Sequence, residues 1–196
     1  MAKELEIEAK NLLTETEFMK LLASFSIQKE QFITQSNHYF ETDDLALKNK
    51  GAALRIREKD GRFTLTLKLQ QEDGVLETHQ TISREEATNM IEGQVLLEGE
   101  IKDELQSLQI NITTLHFLGT LKTERAEIAY KDGLLVFDKS FYFDRIDYEI
   151  EYEGSSKGVV SANFGDLLAT HDIPVREMQH KIARFFAAKQ SHLGSI

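Results

Sequence analysis

Alternating carboxylates mark two separate segments of this sequence, residues 4–10 and residues 147–153. Alternate side chains of a β-strand share one face, so each segment would carry acids on one side and apolar residues on the other. A row of like charges repels itself, and a hard divalent cation such as Mg²⁺, which prefers carboxylate oxygens, would relieve that repulsion. The rows are therefore candidate metal ligands or, alternatively, solvated strand faces. They comprise Glu4, Glu6, Glu8 and then Lys10, and Asp147, Glu149, Glu151 and Glu153.

Basic residues alternate with apolar ones in other segments. Arg55 and Arg57 share a face within residues 54–57, Lys68 ends the polar face of residues 64–68, and Arg125 lies in a third alternating segment. Arginine binds phosphate oxygens through two parallel hydrogen bonds, and lysine adds a point charge. These cations could hold a polyanion, or they could only form ion pairs with the acidic strands. Residue types and spacing leave both interpretations open.

Composition excludes several classes of protein. With 33 acidic and 23 basic side chains the formal net charge is −10, which argues against non-specific nucleic-acid binding. The absence of cysteine excludes disulfides, thiolate metal sites and a cysteine nucleophile. No apolar run approaches the ~18 residues of a membrane span, and the charged N-terminus lacks the apolar core of a signal peptide. We expect a cytoplasmic protein without nucleic-acid or membrane partners; its oligomeric state is open.

Hydrophobic periodicity predicts an α+β fold in a single domain, residues 1–196, with a largely antiparallel sheet that is open or closed into a barrel. Capping boxes at Thr14 and Ser83 predict two helix starts. Three Asp-Gly pairs, beginning at residues 60, 73 and 132, predict tight turns. The predicted strands are residues 4–10, 54–59, 62–69, 75–82, 120–130, 134–138 and 143–152, and three further helices are residues 102–108, 159–169 and 178–189.

Taken in order, these motifs resemble those of the CYTH proteins, also called triphosphate tunnel metalloenzymes. That family includes class IV adenylate cyclases, thiamine triphosphatases and inorganic tripolyphosphatases. Residues 6–10 resemble its ExExK signature. The further matches are residues 38–42 with the YFDT-like segment, 54–57 with LRxR, Lys68 with the TxK strand, 123–125 with TxR, Asp138 with the late aspartate, and 149–151 with EIE.

The resemblance implies an antiparallel eight-stranded β-barrel, open as a tunnel with charged faces inside and helices packed outside. It also implies Mg²⁺ or Mn²⁺ as cofactor and a small-molecule triphosphate as substrate. The implied metal ligands are Glu6, Glu8, Glu149 and Glu151. The implied substrate-binding residues are Lys10, Arg55, Arg57, Lys68, Glu77, Arg125 and Lys181, with Arg184 as second choice to Lys181, and the implied catalytic residues are Glu6, Glu8, Lys10 and Asp138.

Three activities remain open at this point. The first is metal-dependent hydrolysis of inorganic tripolyphosphate, thiamine triphosphate or a nucleoside triphosphate. The second is a class IV-type adenylate cyclase, which would release pyrophosphate from ATP. The third is a binding protein that holds a polyphosphate or nucleotide without turnover. No Ser-His-Asp arrangement is visible in the sequence, and the six histidines are scattered, so none is assigned a catalytic role.

Overall fold

The computed structural model describes residues 2–94, 98–177 and 179–193. Within them nine strands form one sheet in the order β1-β6-β5-β4-β3-β7-β8-β9-β2. The strands are β1 (Ala2–Glu6), β2 (Glu8–Leu13), β3 (Ile33–Thr42), β4 (Ala52–Lys59), β5 (Arg62–Gln70), β6 (Val75–Ile82), β7 (Leu115–Tyr130), β8 (Gly133–Tyr142) and β9 (Arg145–Glu153).

The strand order confirms the predicted α+β class and antiparallel barrel, with one strand more than expected. The single strand predicted for residues 4–10 is divided at Ile7 into β1 and β2. These two strands occupy opposite ends of the order although Ile7 alone separates them in the chain, which is the connectivity of a nearly closed barrel. Strand β3 lacks the alternation that predicts a strand, because two of its buried positions are the polar residues Gln35 and Asn37.

The chain divides into two compact units. The first comprises Met1–Leu5 and Gln35–Leu121. Its helices are α2 (Ala46–Asn49), α3 (Arg84–Ile91) and α4 (Glu100–Ser107). Its core contains Leu54 and Ile56 of β4, both fully buried. Arg55 and Arg57 consequently point to the other face of this strand, away from the apolar core.

The second unit comprises Glu6–Thr34 and Lys122–Ile196. Its helices are α1 (Glu15–Ser24), α5 (Lys157–Thr170) and α6 (Lys181–Leu193). Ile150 and Tyr152 of β9 are fully buried in its core. The intervening Glu149 and Glu151 therefore face the opposite side of the strand, where they are nevertheless buried. Burying a carboxylate requires a partner for its charge.

The predicted helices are all present. The capping boxes at Thr14 and Ser83 begin α1 and α3, each with its reciprocal hydrogen bonds, and such a cap stabilises a helix by about 1 kcal/mol. The last helix begins at Lys181; Met178, where its start was predicted, lies outside the described residues. The short α2 was not predicted. In the described part of the chain, no helix has the length and apolar character needed to span a membrane.

Candidate functional site

The first unit carries a basic polar face on β4 and β5. The antiparallel register pairs Arg55 with Thr66 and Arg57 with Thr64, so the two guanidinium groups lie beside hydroxyl side chains. Nε of Arg57 donates a hydrogen bond to Oδ1 of Asn37 on β3, at 3.0 Å. Asn37 is buried, so this bond fixes the orientation of the guanidinium fork. An oriented fork of this kind suits a phosphate group.

Glu77 on β6 is the acidic centre of this face. It is 5% exposed, forms an ion pair with Lys68, and lies 3.8 Å from the Arg55 guanidinium and 3.4 Å from Nε2 of His79. The Nε atom of Arg55 is buried and has no hydrogen-bond partner among the described residues. One carboxylate therefore holds two cations in place while leaving donors for an anion. The predicted residues Arg55, Arg57, Lys68 and Glu77 share this face.

A cluster of buried ion pairs lies in the second unit, around Asp138 of β8. Arg125 of β7 donates two hydrogen bonds to Asp138, from Nε at 2.7 Å and from Nη2 at 2.6 Å, and a third to Glu151 at 2.8 Å. Asp138 is fully buried and Glu151 is 5% exposed. Two parallel N–H···O bonds between arginine and a carboxylate are the strongest geometry available to this pair.

Helix α6 supplies two further cations to the same cluster. Nζ of Lys181 lies 2.5 Å from Asp138, 3.1 Å from Glu149 and 3.7 Å from Glu151. Arg184, one turn along, lies 2.7 Å from Glu149. Both residues proposed for the C-terminal helix thus reach this cluster. Its members are Asp138, Glu149 and Glu151 on the acidic side, and Arg125, Lys181 and Arg184 on the basic side.

The segment that precedes α6 is held by Asn11 of β2. The Asn11 side chain is fully buried, donates a hydrogen bond to the carbonyl oxygen of Pro174 at 3.0 Å, and accepts one from the backbone N–H of Arg176 at 2.7 Å. The Arg176 guanidinium in turn binds Glu17 of α1 at 2.8 and 2.9 Å. These contacts fix the approach of the chain to Lys181.

The pKa values of Lys181, Asp138 and Glu151 are shifted toward their charged forms. Burial alone would lower the pKa of Lys181, but the carboxylates of Asp138, Glu149 and Glu151 outweigh burial and raise it well above its usual value. Burial would raise the pKa of Asp138, but Lys181 and Arg125 outweigh that and hold it well below its usual range. The pKa of Glu151 is lowered by the same two cations. At neutral pH Asp138 and Glu151 are therefore ionised, and the protein's own cations compensate their charge.

A second carboxylate group, formed by Glu6, Glu8 and Glu153, lies in the same unit. One oxygen from each of these side chains lies within 4.8 Å of the others, the one such group in the described part of the chain whose donors are arranged to hold a metal ion. Lys10 forms an ion pair with Glu8. Burial, together with the neighbouring charge of Glu6, raises the pKa of Glu153 to about 7. Burial and like charge thus make this arrangement of acids electrostatically unfavourable for Glu153.

The strand register explains why the four predicted metal ligands fall into two places. The antiparallel pairing of β2 with β9 puts Glu8 opposite Glu153 and Lys10 opposite Glu151. Lys10 thus lies on β2 between Glu8 and Leu12, and Leu12 is the residue that pairs with Glu149. Glu6 and Glu8 join Glu153, whereas Glu149 and Glu151 join Lys181 and Arg125.

Sequence patterns did not identify two residues of these sites. Glu153 belonged to the acidic row but was not selected as a ligand, because only the β2–β9 register distinguishes it from Glu149 and Glu151. Asn37 had no recognisable signal, since β3 lacks alternating apolar residues.

Comparison with known proteins places these features in a family. The model of the CYTH domain matches residues 4–186. The protein named "Putative triphosphatase YjbK" of Bacillus subtilis (strain 168) is 42% identical over 193 residues, which is 98% of this chain and 100% of that protein.

Solved structures with the same fold support this family assignment. A crystal structure of a protein from Bacillus halodurans, described as a putative adenylate cyclase, has a TM-score of 0.91 and 45% identity, covering 95% of this chain and all of that one. The protein HpAC1 from Hippeastrum, described as a putative adenylyl cyclase, has a TM-score of 0.76 at 23% identity, covers 94% of this chain and 96% of that one, and shares the fold. The chain belongs to the CYTH domain family.

Proposed function

We propose that this protein is a divalent-metal-dependent triphosphatase that hydrolyses a phosphoric anhydride bond of a small-molecule triphosphate, and that residues 1–196 act as one CYTH domain. The observation that carries the proposal is the presence of two complementary sets of charge. One is the basic face of Arg55, Arg57 and Lys68, and the other is the carboxylate group of Glu6, Glu8 and Glu153. A relative that is 42% identical is named "Putative triphosphatase YjbK", and HpAC1 is described as having a dominant triphosphatase activity.

The basic face is suited to binding the phosphate chain. Arg57, oriented by Asn37, can donate two parallel hydrogen bonds to one phosphate, and Arg55 has a buried donor available. Lys68 adds an ammonium group whose position is set by Glu77. Phosphoryl transfer depends on positioning and on neutralising negative charge more than on covalent participation by the protein. These residues therefore have the chemistry that the reaction requires.

The carboxylate group fits Mg²⁺ or Mn²⁺. Its donors are hard oxygens, and a separation of up to 4.8 Å is close to the ~4 Å between opposite ligands around such an ion. We assign Glu6, Glu8 and Glu153 as the residues that would hold it; when bound, the ion would neutralise phosphate charge and lower the pKa of a coordinated water. Glu149 and Glu151 already face Lys181 and Arg125, so their charge is compensated without a metal.

The remaining predicted residues have supporting roles. Lys10 pairs with Glu8 and would set the position of that carboxylate. Asp138 is fully buried and bound by both Arg125 and Lys181, so it would fix the positions of these two cations rather than act on the substrate itself. In this proposal the ordered side chains hold the triphosphate in a fixed position for attack by water.

An adenylate cyclase is the second candidate, because the 45% identical structure from Bacillus halodurans is described in those terms. The cyclase would use the same basic face but would release pyrophosphate and cyclic AMP from ATP. The products therefore distinguish the two activities.

The decisive experiment measures phosphate and pyrophosphate release from tripolyphosphate, thiamine triphosphate, ATP and GTP, with Mg²⁺ and with Mn²⁺. Glu8→Gln is the test variant and Glu4→Gln the control, because Glu4 lies in the same acidic row but outside the carboxylate group. We expect phosphate release that Glu8→Gln abolishes and Glu4→Gln preserves. Pyrophosphate from ATP alone would support the cyclase. Triphosphate-dependent thermal stabilisation without product would show a binding protein.

A further inference from the structure

A cleft of about 290 Å³ lies at the end of the β4–β5 hairpin, within the first unit. Its lining is basic, with three cations against one acid. The lining residues are Arg57, Lys59, Asp60, Arg62 and Thr64. Arg57 belongs to the basic face already described, whereas Lys59 and Arg62 have no role in the proposed triphosphatase.

The cleft continues the row of cations along β4. Arg55, Arg57 and Lys59 are alternate residues of one strand and so share its polar face. An antiparallel strand rises about 3.4 Å per residue, so Lys59 stands about 7 Å beyond Arg57. The antiparallel register of β4 and β5 places Arg62 directly opposite Lys59. The basic face thus extends by one more pair of cations toward the hairpin turn.

The pairing of Lys59 with Arg62 is unfavourable for the hairpin by itself. Like charges directly opposite each other on antiparallel strands repel. Neither side chain has a hydrogen bond or ion pair with any residue that the structure describes, even though Asp60 lies in the same cleft. By contrast, Arg55 and Lys68 share the Glu77 carboxylate. A bound polyanion would remove the repulsion, because it would place negative charge between the two cations.

We propose that this cleft binds phosphate groups beyond the third, and that the ligands of this protein include linear polyphosphates longer than tripolyphosphate. This inference rests on the proposed function, because Arg57 would belong to both the triphosphate site and the extension. The guanidinium of Arg62 provides a fork for phosphate oxygens and Lys59 a point charge. A hydrogen bond to a charged group contributes about 1.5–3 kcal/mol, which corresponds to a factor of roughly ten or more in affinity.

The test compares the binding of tripolyphosphate and tetrapolyphosphate by isothermal titration calorimetry, with EDTA present so that no metal-dependent turnover occurs. Wild-type protein is expected to bind tetrapolyphosphate about tenfold more tightly than tripolyphosphate. Lys59→Gln/Arg62→Gln should lose that preference while its affinity for tripolyphosphate stays within about twofold. The control, Lys50→Gln/Arg145→Gln, removes the same charge at two exposed positions and should keep the preference.

Three results would overturn the inference. They are equal affinity of the wild type for the two polyphosphates, equal weakening of both by the Lys59/Arg62 variant, and loss of the preference in the control. Phosphate release from tripolyphosphate is measured in parallel with Mg²⁺. If tripolyphosphate is hydrolysed but tetrapolyphosphate binds no better, only the extension is wrong. If tripolyphosphate is not bound but thiamine triphosphate, ATP or GTP is hydrolysed, the extension is wrong and the proposed function stands. If none of the four triphosphates is hydrolysed, the proposed function fails and the extension fails with it.

Discussion

Nζ of Lys181 lies 2.5 Å from Oδ2 of Asp138, so the first residue of α6 is joined by an ion pair to the middle of β8. Asp138 is fully buried, and Arg125 binds its carboxylate from the other side. The acidic cluster of the second unit is therefore completed by a cation that arrives more than 40 residues later in the chain. This relationship makes the position of α6 and the ionisation of Asp138 depend on each other.

We expect Lys181→Gln to lower the free energy of unfolding by about 3 kcal/mol, because removing one partner leaves a buried charge uncompensated. Urea denaturation followed by circular dichroism measures this change. Lys157→Gln, an exposed charge change in α5, is the control and should alter stability by less than about 0.5 kcal/mol. A loss below about 1 kcal/mol for Lys181→Gln would show that the ion pair contributes little in solution.

The same variant has a predictable pH dependence. The folded-state pKa of Asp138 is depressed, so the stabilisation that it provides is present above its unfolded pKa of ~3.9 and is lost as pH falls toward the folded value. The difference in unfolding free energy between wild type and Lys181→Gln should therefore be constant from about pH 7 to pH 5 and should shrink between about pH 4 and pH 2. Denaturation curves measured across this pH range show whether the difference in unfolding free energy shrinks or grows as the pH falls. A difference that grows on acidification contradicts the assignment.

Metal binding should depend on Glu153 more than on Glu149. Glu153→Gln removes one donor of the carboxylate group, and we expect it to weaken the binding of Mn²⁺ at least tenfold in the absence of substrate. Glu149→Gln should change Mn²⁺ affinity by less than about threefold, because Lys181 and Arg184 already compensate that side chain. Electron paramagnetic resonance of free Mn²⁺ gives both affinities. The reverse order would return the metal site to Glu149 and Glu151.

Arg57→Lys tests whether the guanidinium fork matters beyond its charge. Lysine retains the positive charge but cannot form two parallel hydrogen bonds to a phosphate or the Nε bond to Asn37. We expect kcat/KM for the preferred triphosphate to fall about tenfold to a hundredfold, with the fold retained in circular dichroism and a melting temperature lowered only by the lost Asn37 bond. Lys48→Arg, an exchange of the same two residue types at an exposed position, is the control. Full activity of Arg57→Lys would show that charge alone is sufficient.

Glu77→Gln should affect stability and anion binding in opposite directions. The glutamate holds Lys68 and Arg55, so its loss leaves two neighbouring cations without their common counterion and should cost about 1–3 kcal/mol of unfolding free energy. A triphosphate would then be the main source of negative charge beside them, so its affinity measured in EDTA should rise several-fold. Tripolyphosphate calorimetry on the variant tests this prediction. Weaker binding would show that positioning by Glu77 outweighs its charge.

Much of the molecule could be predicted from local pattern. Alternation located eight of the nine strands, with β1 and β2 predicted as one, and capping residues marked the starts of α1 and α3. These signals are local, because strand faces repeat every two residues and a helix cap is completed within four. The order of the motifs also indicated the family. By contrast, β3 went unrecognised, because buried positions such as Gln35 and Asn37 are polar and face the charged side of the sheet rather than an apolar core.

The sequence by itself determined which side chains are acidic or basic and that each group shares one face of its strand. Only the tertiary structure decided which of them meet. The β2–β9 register placed Glu153, rather than Glu149, beside Glu8. The hydrogen bond from the Asn11 side chain to the backbone of Pro174 holds the segment before α6, and Lys181 of that helix contacts Asp138. Periodicity is a property of one strand, whereas register and helix docking depend on contacts between residues far apart in the chain, and shifting a register by one residue would move every side chain to the other face.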